Sequence, residues 1–252
     1  MKEWDDAADS WVDFVREGKD YFRDELNNPG MFRVLGNVKD LSVLDVACGE
    51  GYNTRIMACK GARVIGIDFS KKLMEQARLK EKEDPFGIDY HVADATDLSI
   101  FSDGRFDLVT CFMAIMDIED YNAAICEIAR VVKDAGRFVF SNTHPCFEYT
   151  TQKGRIERVT TYFGARTEKI PWEMERLIKP FVTTSFHRTL TDYSNTLCRH
   201  GFFIRRILEP RPARKGATKY PSLKQVFSIP HSMIFETVKC PTRRKREKIL
   251  SS

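Results

Sequence analysis

The sequence predicts an α/β protein with a mostly parallel sheet, and two observations support this fold class. Five segments with the apolar pattern of buried strands alternate with segments whose apolar residues recur at helical spacing. A glycine-bearing loop follows the first strand and precedes a predicted helix. The predicted strands are Val43–Ala47, Arg63–Ile67, Ile88–Ala93, Phe106–Cys111 and Arg137–Asn142.

The loop at residues 47–51, Ala-Cys-Gly-Glu-Gly, is the first candidate ligand site. Its glycines can adopt positive φ and let the backbone approach a ligand. The second strand leads to Asp68, whose carboxylate is placed to accept both ribose hydroxyls of an adenosine. A dinucleotide site would require G-x-G-x-x-G, but residues 52–54 contain no glycine, and Glu50 would repel a pyrophosphate. The pattern favours an adenosine ligand without phosphates.

The boundaries of several later elements follow from capping and spacing. Ser70 is the predicted N-cap of a helix over Lys71–Lys82. A helical stripe from Tyr121 to Val132 is expected to end at Gly136, acting as a C′ glycine. Ile88, Tyr90 and Val92 are expected on one strand face, and Phe202–Leu208 and Met233–Lys239 are expected to be two strands antiparallel to each other.

Composition narrows the class of protein. The 252 residues, 42% apolar and 30% charged, suffice for one large α/β domain, and a net charge of +4 is too small to indicate nucleic acid. Seven scattered cysteines and five histidines form no C-x-x-C pair and no ligand cluster, which predicts a reducing compartment and no metal. The acidic, amphipathic N-terminus and the lack of a membrane-length apolar run predict a cytoplasmic protein with no membrane partner.

Two stretches resemble the class I methyltransferases that use S-adenosylmethionine (SAM). VLDVACGEG at 43–51 and VIGIDFS at 64–70 look like the first and second motifs of that family, although the family often has glycine at the position of Ala47. Further words resemble a large subgroup of small-molecule methyltransferases (type 11-like), and they extend the resemblance over nearly the whole chain: WDDAADSW, HPCF, FHRTLTDYSNTL, HGFFI and EPRP. The resemblance implies a three-layer, Rossmann-like sheet of seven mostly parallel strands with an antiparallel last strand.

The resemblance also implies which residues hold the cofactor. Asp94, after the third strand, is suited to the adenine amino group, and the alternative is a plain turn acid or N-cap. Tyr21 and Arg23 match an Asp-Tyr-x-Arg word over the methionine end of SAM, where Arg23 would pair with its carboxylate; the alternative is a simple capping helix. Phe112 and Met113 would form a polarisable wall for the sulfonium, or else belong to the core. The expected cofactor residues are Tyr21, Arg23, Asp45, Ala47, Cys48, Gly49, Gly51, Asp68, Phe69, Asp94, Ala95, Phe112 and Met113.

We predict a single domain over residues 1–252, with N-terminal capping helices in 1–40 and an insertion in 143–188. The first helix is predicted over Trp4–Asp24, with a break at Asn28–Pro29–Gly30. The long, aromatic insertion leaves the carboxyl end of a strand, which predicts a small β/α cap over the pocket. The alternative is a satellite hydrophobic cluster under a surface loop. The expected substrate contacts are Phe147, Tyr162, Trp172 and Tyr193.

Methyl transfer is an in-line displacement, so alignment and water exclusion are the main tasks of the protein. A hydroxyl, amine or carbon nucleophile usually also loses a proton. The candidate proton acceptors are His144, His187 and Asp117, and the alternative for both histidines is a structural role.

Three functions remain open from the sequence. The first is methyl transfer from SAM to an O, N or C atom of a small ring-containing molecule, with S-adenosylhomocysteine as product, no metal, and a monomer or homodimer. The second is methyl transfer from SAM to RNA or protein. It is suggested by a set of basic residues: Arg205, Arg206, Arg211, Arg214, Lys215 and the tail Arg243–Lys248. Against it, no Asn-Pro-Pro-Tyr-like word follows the fourth strand, and a terminal charge run is usually just solvated. The third is a nucleotide-binding module without catalysis.

Overall fold

A computed structural model describes residues 2–147, 149–152, 155–158, 161–173 and 177–241. The helices are α1 (Lys2–Arg16), α2 (Asn28–Leu35), α3 (Tyr52–Cys59), α4 (Lys71–Glu83), α5 (Tyr121–Val131), α6 (Leu190–Arg199) and α7 (Arg214–Lys219). The strands are β1 (Ser42–Val46), β2 (Arg63–Asp68), β3 (Asp89–Val92), β4 (Phe106–Phe112), β5 (Val132–Thr143), β6 (Tyr149–Gln152), β7 (Arg155–Arg158), β8 (Arg166–Trp172), β9 (Phe181–His187), β10 (Phe202–Leu208) and β11 (Ser232–Lys239). None of these described helices combines the length and the apolar character needed to span a membrane.

Seven strands form one sheet in the order β10-β11-β5-β4-β1-β2-β3. β1 to β5 pair in parallel, whereas β11 is antiparallel to both β5 and β10. The predicted α/β class, the seven-stranded sheet and its antiparallel last strand are confirmed. Because parallel strands end at the same edge, the loops after β1, β2, β3, β4 and β5 converge there.

The central strand β1 is buried on both faces, as its nearly continuous apolar run predicts. Leu44 and Val46 face a core cluster that includes residues of α5 and α6, while Val43 faces a second cluster built with α2 and α3. The sheet therefore lies between two layers of helices. This packing fixes the position of the glycine loop at the edge of the sheet.

The N-terminal helical region differs from its prediction. α1 ends at Arg16, and Gly18 follows with a φ of 65°. The expected break at Asn28–Gly30 is wrong, because a π-helical turn at Arg23–Asn27 runs directly into α2. Pro29 is tolerated since it lies in the first turn, where its missing N–H would have no intrahelical partner.

The predicted role of Gly136 is also wrong. α5 ends at Val131 and the chain passes into β5, so Gly136 lies within a strand. Ala135 takes the positive φ, at 62°. A Cβ at Gly136 would lie 2.8 Å from the Lys133 carbonyl oxygen, so a close approach of the backbone accounts for this glycine.

The third strand is less uniform than its alternation predicts. Ile88 and Tyr90 are buried, but Val92 is 41% exposed. The reason is its position at the end of β3, which is the edge strand of the sheet.

The described parts of the insertion form two antiparallel hairpins, β6–β7 and β8–β9. These described parts contain the strands of the predicted β/α cap but no helix. β9 packs against α1 and against a 3-10 turn at Ile115–Asp117. The β8–β9 hairpin therefore lies beside the carboxyl edge of the sheet, next to the loop that follows β4.

The packing around Gly66 gives a stability prediction. A Cβ at Gly66 would lie 2.7 Å from the Tyr90 ring and 2.9 Å from Cys48 Sγ. Gly66→Ala should therefore destabilise the fold by about 1–3 kcal/mol, measured by urea unfolding. Tyr90→Leu in the same chain should recover part of that loss. Additive costs of the two substitutions would contradict this packing.

Candidate active site

A cavity of about 1150 Å³ opens at the carboxyl edge of the sheet. Its walls come from the glycine loop, the ends of β2, β3, β4 and β5, helix α1, the π-helical turn and the β8–β9 hairpin. Its volume exceeds the roughly 300–1000 Å³ of a site for one small ligand. The cavity has room for two ligands side by side.

Asp68 ties the second strand to the glycine loop. Its Oδ2 accepts a hydrogen bond from Gly49 N at 2.9 Å, and its Oδ1 accepts one from Ser70 N at 2.9 Å. The carboxylate is 6% exposed, and burial raises its pKa to about 6. Ser70 Oγ in turn donates to Asp5 Oδ1 of α1 at 2.5 Å, which docks the N-terminal helix over this part of the cavity.

Asp45 connects three elements beneath the same loop. Its two oxygens accept hydrogen bonds from Thr54 Oγ1 of α3 and Thr110 Oγ1 of β4, both at 2.7 Å. The side chain is almost fully buried, and this desolvation raises the pKa of Asp45 to about 6. Asp45 also contributes to the cavity lining.

Two non-glycine residues of the cavity wall have positive φ. Ala47 has a φ of 53° directly after β1, and Met113 has a φ of 49° directly after β4. The Met113 N–H donates to the carbonyl and hydroxyl oxygens of Ser141, both at 3.0 Å. Such strained backbone concentrates at ligand sites, and it lies here where two neighbouring strands end.

The predicted Tyr21–Arg23 pair is divided by the fold. Arg23 lines the cavity, with its guanidinium 3.7 Å from the centre of the Tyr52 ring and 2.9 Å from Asp24 Oδ1. Tyr21 stacks instead on Tyr220, at a centroid distance of 4.7 Å, and its hydroxyl bonds with Ser222. The fold thus brings only Arg23 of this pair to the cavity.

Most of the other predicted site residues also line the cavity. Asp94 does so while its Oδ1 accepts the Thr96 N–H at 2.9 Å, so it is a turn acid as well as a wall residue. The predicted residues in the wall are Arg23, Asp45, Ala47, Cys48, Gly49, Asp68, Phe69, Asp94, Ala95, Phe112, Met113, Asp117, Phe147 and Trp172.

The two predicted catalytic histidines are held in structural hydrogen bonds outside the wall. His144 is 3% exposed, and its Nδ1 accepts the Cys146 N–H at 3.2 Å. Its Nε2 therefore carries the proton and donates to Glu209 Oε1 at 3.0 Å. His187 Nε2 bonds with the Tyr162 carbonyl oxygen at 2.8 Å. The structural alternative fits the position of both histidines.

Three further predicted residues have other surroundings. Gly51 is the N-cap of α3 with a φ of 86°. The Tyr162 hydroxyl accepts the Leu190 N–H at 2.7 Å. Tyr193 is 1% exposed in the main core, packed near Phe140, so its predicted contact with a substrate is wrong.

Asp117 is the one predicted proton acceptor that the described wall contains. The Trp4 side chain hydrogen-bonds it, and burial raises its pKa to about 8. Arg188 fixes the surrounding turn by donating to the carbonyl oxygens of Ile115 at 3.2 Å and Glu119 at 2.9 Å. The last residue of the insertion thus holds the loop after β4.

His231 is a wall residue that the sequence pattern does not reveal. Its ring packs on Phe22 at a centroid distance of 4.6 Å, and its carbonyl oxygen accepts the His144 N–H. Burial lowers the pKa of His231 to about 4, so the imidazole is neutral at pH 7. β11 is antiparallel to β5, and its first residue pairs with Thr143. This pairing brings His231 to the carboxyl edge.

An aromatic cluster forms the outer part of the cavity. Trp4, Trp11 and Trp172 meet edge to face at centroid distances of 5.4–6.2 Å, and all three line the cavity. Phe181 stacks on Trp172 at 5.6 Å from the other side. The insertion and α1 share this cluster, so the β8–β9 hairpin contributes to the outer wall of the cavity.

The described cavity wall is strongly acidic. Its ten carboxyl groups share the wall with one guanidinium, that of Arg23, while Arg16, Lys169 and Arg166 pair with three of them from beside the wall. The ten are Glu3, Asp20, Asp45, Glu50, Asp68, Asp94, Asp117, Glu119, Asp120 and Glu168. Among the described residues, no group of three or more histidine, cysteine or acidic side chains is arranged to hold a metal ion.

The basic residues considered for RNA binding lie elsewhere. Arg206 pairs with Glu236 at 2.8 Å, and Arg205 lies 3.7 Å from the same carboxylate. Both are on β10, at the far edge of the sheet. The tail Arg243–Lys248 is outside the described residues.

Comparisons of the sequence and of the fold with known proteins both find similarity to methyltransferases. Residues 44–140 match the family model described as a methyltransferase domain. The ubiquinone biosynthesis O-methyltransferase of Alkalilimnicola ehrlichii is 34% identical over 142 residues, 56% of this chain and 58% of that protein. That of Aromatoleum aromaticum is 36% identical over 106 residues, 42% of this chain and 45% of that protein. The chain spans about half the length of these curated relatives.

The fold is similar to that of solved SAM-dependent methyltransferases. One from Mesorhizobium loti is 25% identical, with a TM-score of 0.68 over 84% of this chain and 96% of that one. A putative SAM-dependent methyltransferase from Listeria monocytogenes, at 24% identity, has a TM-score of 0.69 over 85% and 97% of the two chains.

The positive φ of Ala47 gives a testable consequence. Ala47→Gly should stabilise the protein by about 1 kcal/mol, because glycine adopts this conformation without the steric cost of a Cβ. Urea unfolding measures the change. Ala58→Gly, in the ordinary helical backbone of α3, is the matched control and should destabilise by about 1 kcal/mol. Destabilisation by Ala47→Gly would contradict the backbone conformation at the loop.

The raised pKa of Asp117 predicts a pH dependence of stability. The folded protein holds this proton up to pH of about 8, whereas the unfolded chain loses it near 3.8. The folded state therefore binds more protons across that window, and its stability falls as pH rises. In Asp117→Asn, the melting temperature of the ligand-free protein should fall less between pH 6.5 and 8 than in the unaltered chain.

The control for this experiment is Asp9→Asn, which removes an exposed carboxylate from α1. It should keep the original slope of melting temperature against pH. An identical slope in Asp117→Asn would show that Asp117 is ionised in the folded protein.

Proposed function

Because this chain carries the domain and has the fold of the SAM-dependent methyltransferases, we propose that it transfers a methyl group from SAM to a small, ring-containing molecule. The observation that carries the proposal is the acidic cavity at the carboxyl edge, whose wall includes residues of both motifs within the matched region 44–140. S-adenosylhomocysteine is then the second product.

The wall residues fit the parts of SAM. Asp68 lies at the end of β2, where a carboxylate can accept ribose hydroxyls, and Asp94 and Phe69 line the same cavity and are proposed to contact adenine. Gly49 has open space where a Cβ would be, which leaves room for a ligand against the loop. Arg23 is the wall cation available to the methionine carboxylate. Bound SAM would supply a methyl group on a positively charged sulfur, which the surrounding carboxylates favour.

The acceptor is proposed to occupy the outer part of the cavity. The curated relatives are named O-methyltransferases of ubiquinone biosynthesis, which favours an oxygen nucleophile in this chain as well. The tryptophan cluster offers rigid aromatic surfaces against which a ring packs. Closing the cavity with α1 and the β8–β9 hairpin excludes water from the reacting atoms.

His231 is the proposed proton acceptor for this acceptor molecule. It is neutral at pH 7 and lies in the wall between the π-helical turn and the end of β5. His144 and His187 are engaged in other hydrogen bonds. The predicted cytoplasmic location and the monomeric or homodimeric state stay predictions.

Ligand binding tests the cofactor half of the proposal. SAM and S-adenosylhomocysteine at 100 times their dissociation constants should stabilise the protein by about 2.7 kcal/mol, read as a rise in melting temperature of several degrees. Asp68→Asn should reduce this rise, because an amide is a weaker acceptor for two hydroxyls. Asp89→Asn, on the exposed side of β3, is the matched control and should behave like the unaltered chain. Stabilisation by NAD alone would contradict the proposal.

Transfer of label tests the reaction. With methyl-labelled SAM and a fractionated cell extract, label should move to low-mass components and not to protein or RNA. His231→Asn should lower the rate at least about 100-fold while SAM binding by calorimetry stays unchanged. Label in RNA, weakened steeply by salt, would favour a nucleic-acid acceptor instead.

A further inference from the structure

We propose that the acceptor carries a cationic nitrogen, protonated or quaternary, and that the three tryptophans together with Asp117 bind it. This inference rests on the proposed function and adds the chemical class of the substrate. We call the group formed by Trp4, Trp11, Trp172 and Asp117 the tryptophan subsite.

The aromatic half of the subsite has the composition of a cation cage. Cations are attracted to aromatic faces, and tryptophan gives the strongest attraction. Trp11 lies 5.4 Å from Trp172 and 5.6 Å from Trp4, at interplanar angles of 73° and 74°. Phe14 stacks on one face of Trp11 and Phe181 on one face of Trp172, and the remaining surface of the three rings lines the cavity. All three are fixed in the cavity wall by α1 and the β8–β9 hairpin.

Asp117 supplies the acidic half, and within the described part of the chain no cationic side chain lies within salt-bridge distance of its carboxylate. Its side chain bonds with Trp4, a neutral donor. The nearby Arg188 donates to the carbonyl oxygens of Ile115, Ile118 and Glu119, so its hydrogen atoms are directed at the backbone. A cationic ligand beside Asp117 would favour the ionised carboxylate, in the same direction as the charge of Arg188 already acts.

Two of the other carboxylates near the subsite already have cationic partners. Glu3 pairs with Lys169 and accepts hydrogen bonds from Thr184, and Glu168 pairs with Arg166 at 2.8 Å. Asp117 is the acid that hydrogen-bonds a tryptophan of the subsite, so it is the one that a ligand held there would neutralise. The charge balance of the whole wall, with Arg23 as its cation, disfavours an anionic acceptor in the same place.

The subsite lies apart from the residues assigned to the cofactor. Asp68, Asp94 and Gly49 belong to the ends of β2 and β3 and to the glycine loop, whereas the subsite joins α1, the turn after β4 and the insertion. A cavity of about 1150 Å³ holds both. The methyl-accepting atom then lies between a cofactor held by the sheet and a nitrogen held by the cap.

Intrinsic fluorescence reports on this subsite alone, since the chain has three tryptophans and all three belong to it. We would titrate choline and its uncharged isostere 3,3-dimethylbutan-1-ol into the protein saturated with S-adenosylhomocysteine, at constant ionic strength and pH 7.5. Choline should bind about tenfold more tightly than the alcohol. Equal affinities would overturn the proposal and indicate a neutral ring as the ligand.

Two variants test which residues cause the preference for choline over the alcohol. Asp117→Asn should bring the two affinities within about threefold of each other, whereas Asp9→Asn on the exposed side of α1 should keep the tenfold ratio. Trp172→Leu, with Trp4 and Trp11 as reporters, should reduce choline affinity at least about threefold. An unchanged choline preference in both Asp117→Asn and Trp172→Leu would place the cation elsewhere.

Calorimetry with S-adenosylhomocysteine separates this proposal from the proposed function. Binding of the adenosyl ligand without a choline preference would leave the methyltransferase function in place and remove only the cationic acceptor. Failure to bind the adenosyl ligand would instead contradict the proposed function, whatever choline does.

Discussion

A buried carboxyl group, that of Asp45, sets the geometry on which the cavity depends. It interrupts an apolar central strand and joins that strand to α3 through Thr54 and to β4 through Thr110. Leaving one of these buried hydroxyls or oxygens without its partner costs about 1–3 kcal/mol, so the three elements are held in one register. The loop between β1 and α3, and the strained residues Ala47 and Met113 beside it, inherit their positions from this junction.

One consequence of this geometry is a cluster of acidic side chains in the cavity wall with few cationic side chains near them. Burial raises the pKa of Asp45 and Asp68 to about 6 and that of Asp117 to about 8. Such groups destabilise the empty fold near neutral pH, and a positively charged ligand relieves them. A site of this kind is prepared for a cation before the ligand arrives, which is a common compromise between stability and binding.

The sequence predicts the parts of this molecule whose signals are local. Strands buried on both faces, the glycine loop and the Ser70 cap follow from short patterns, and the structure contains each of them. His231 was missed because its position depends on an antiparallel pairing with β5, which no local pattern encodes. Tyr193 was misplaced for a related reason: helical spacing shows that a side chain points inward but not whether it meets core or cavity. The break assigned to Asn28–Gly30 failed because proline is also a normal first-turn residue.

The way the insertion joins the sheet has a consequence for how such proteins diversify. The insertion leaves at the end of β5 and returns at Arg188, which is fastened to the backbone of the loop after β4. Everything between these two points can change in length and composition without altering the pairing of the seven-stranded sheet. Exchanging this segment between relatives, with Arg188 kept as the junction, would transfer together the residues proposed to contact the acceptor. The residues proposed to bind the cofactor would stay unchanged in the recipient protein.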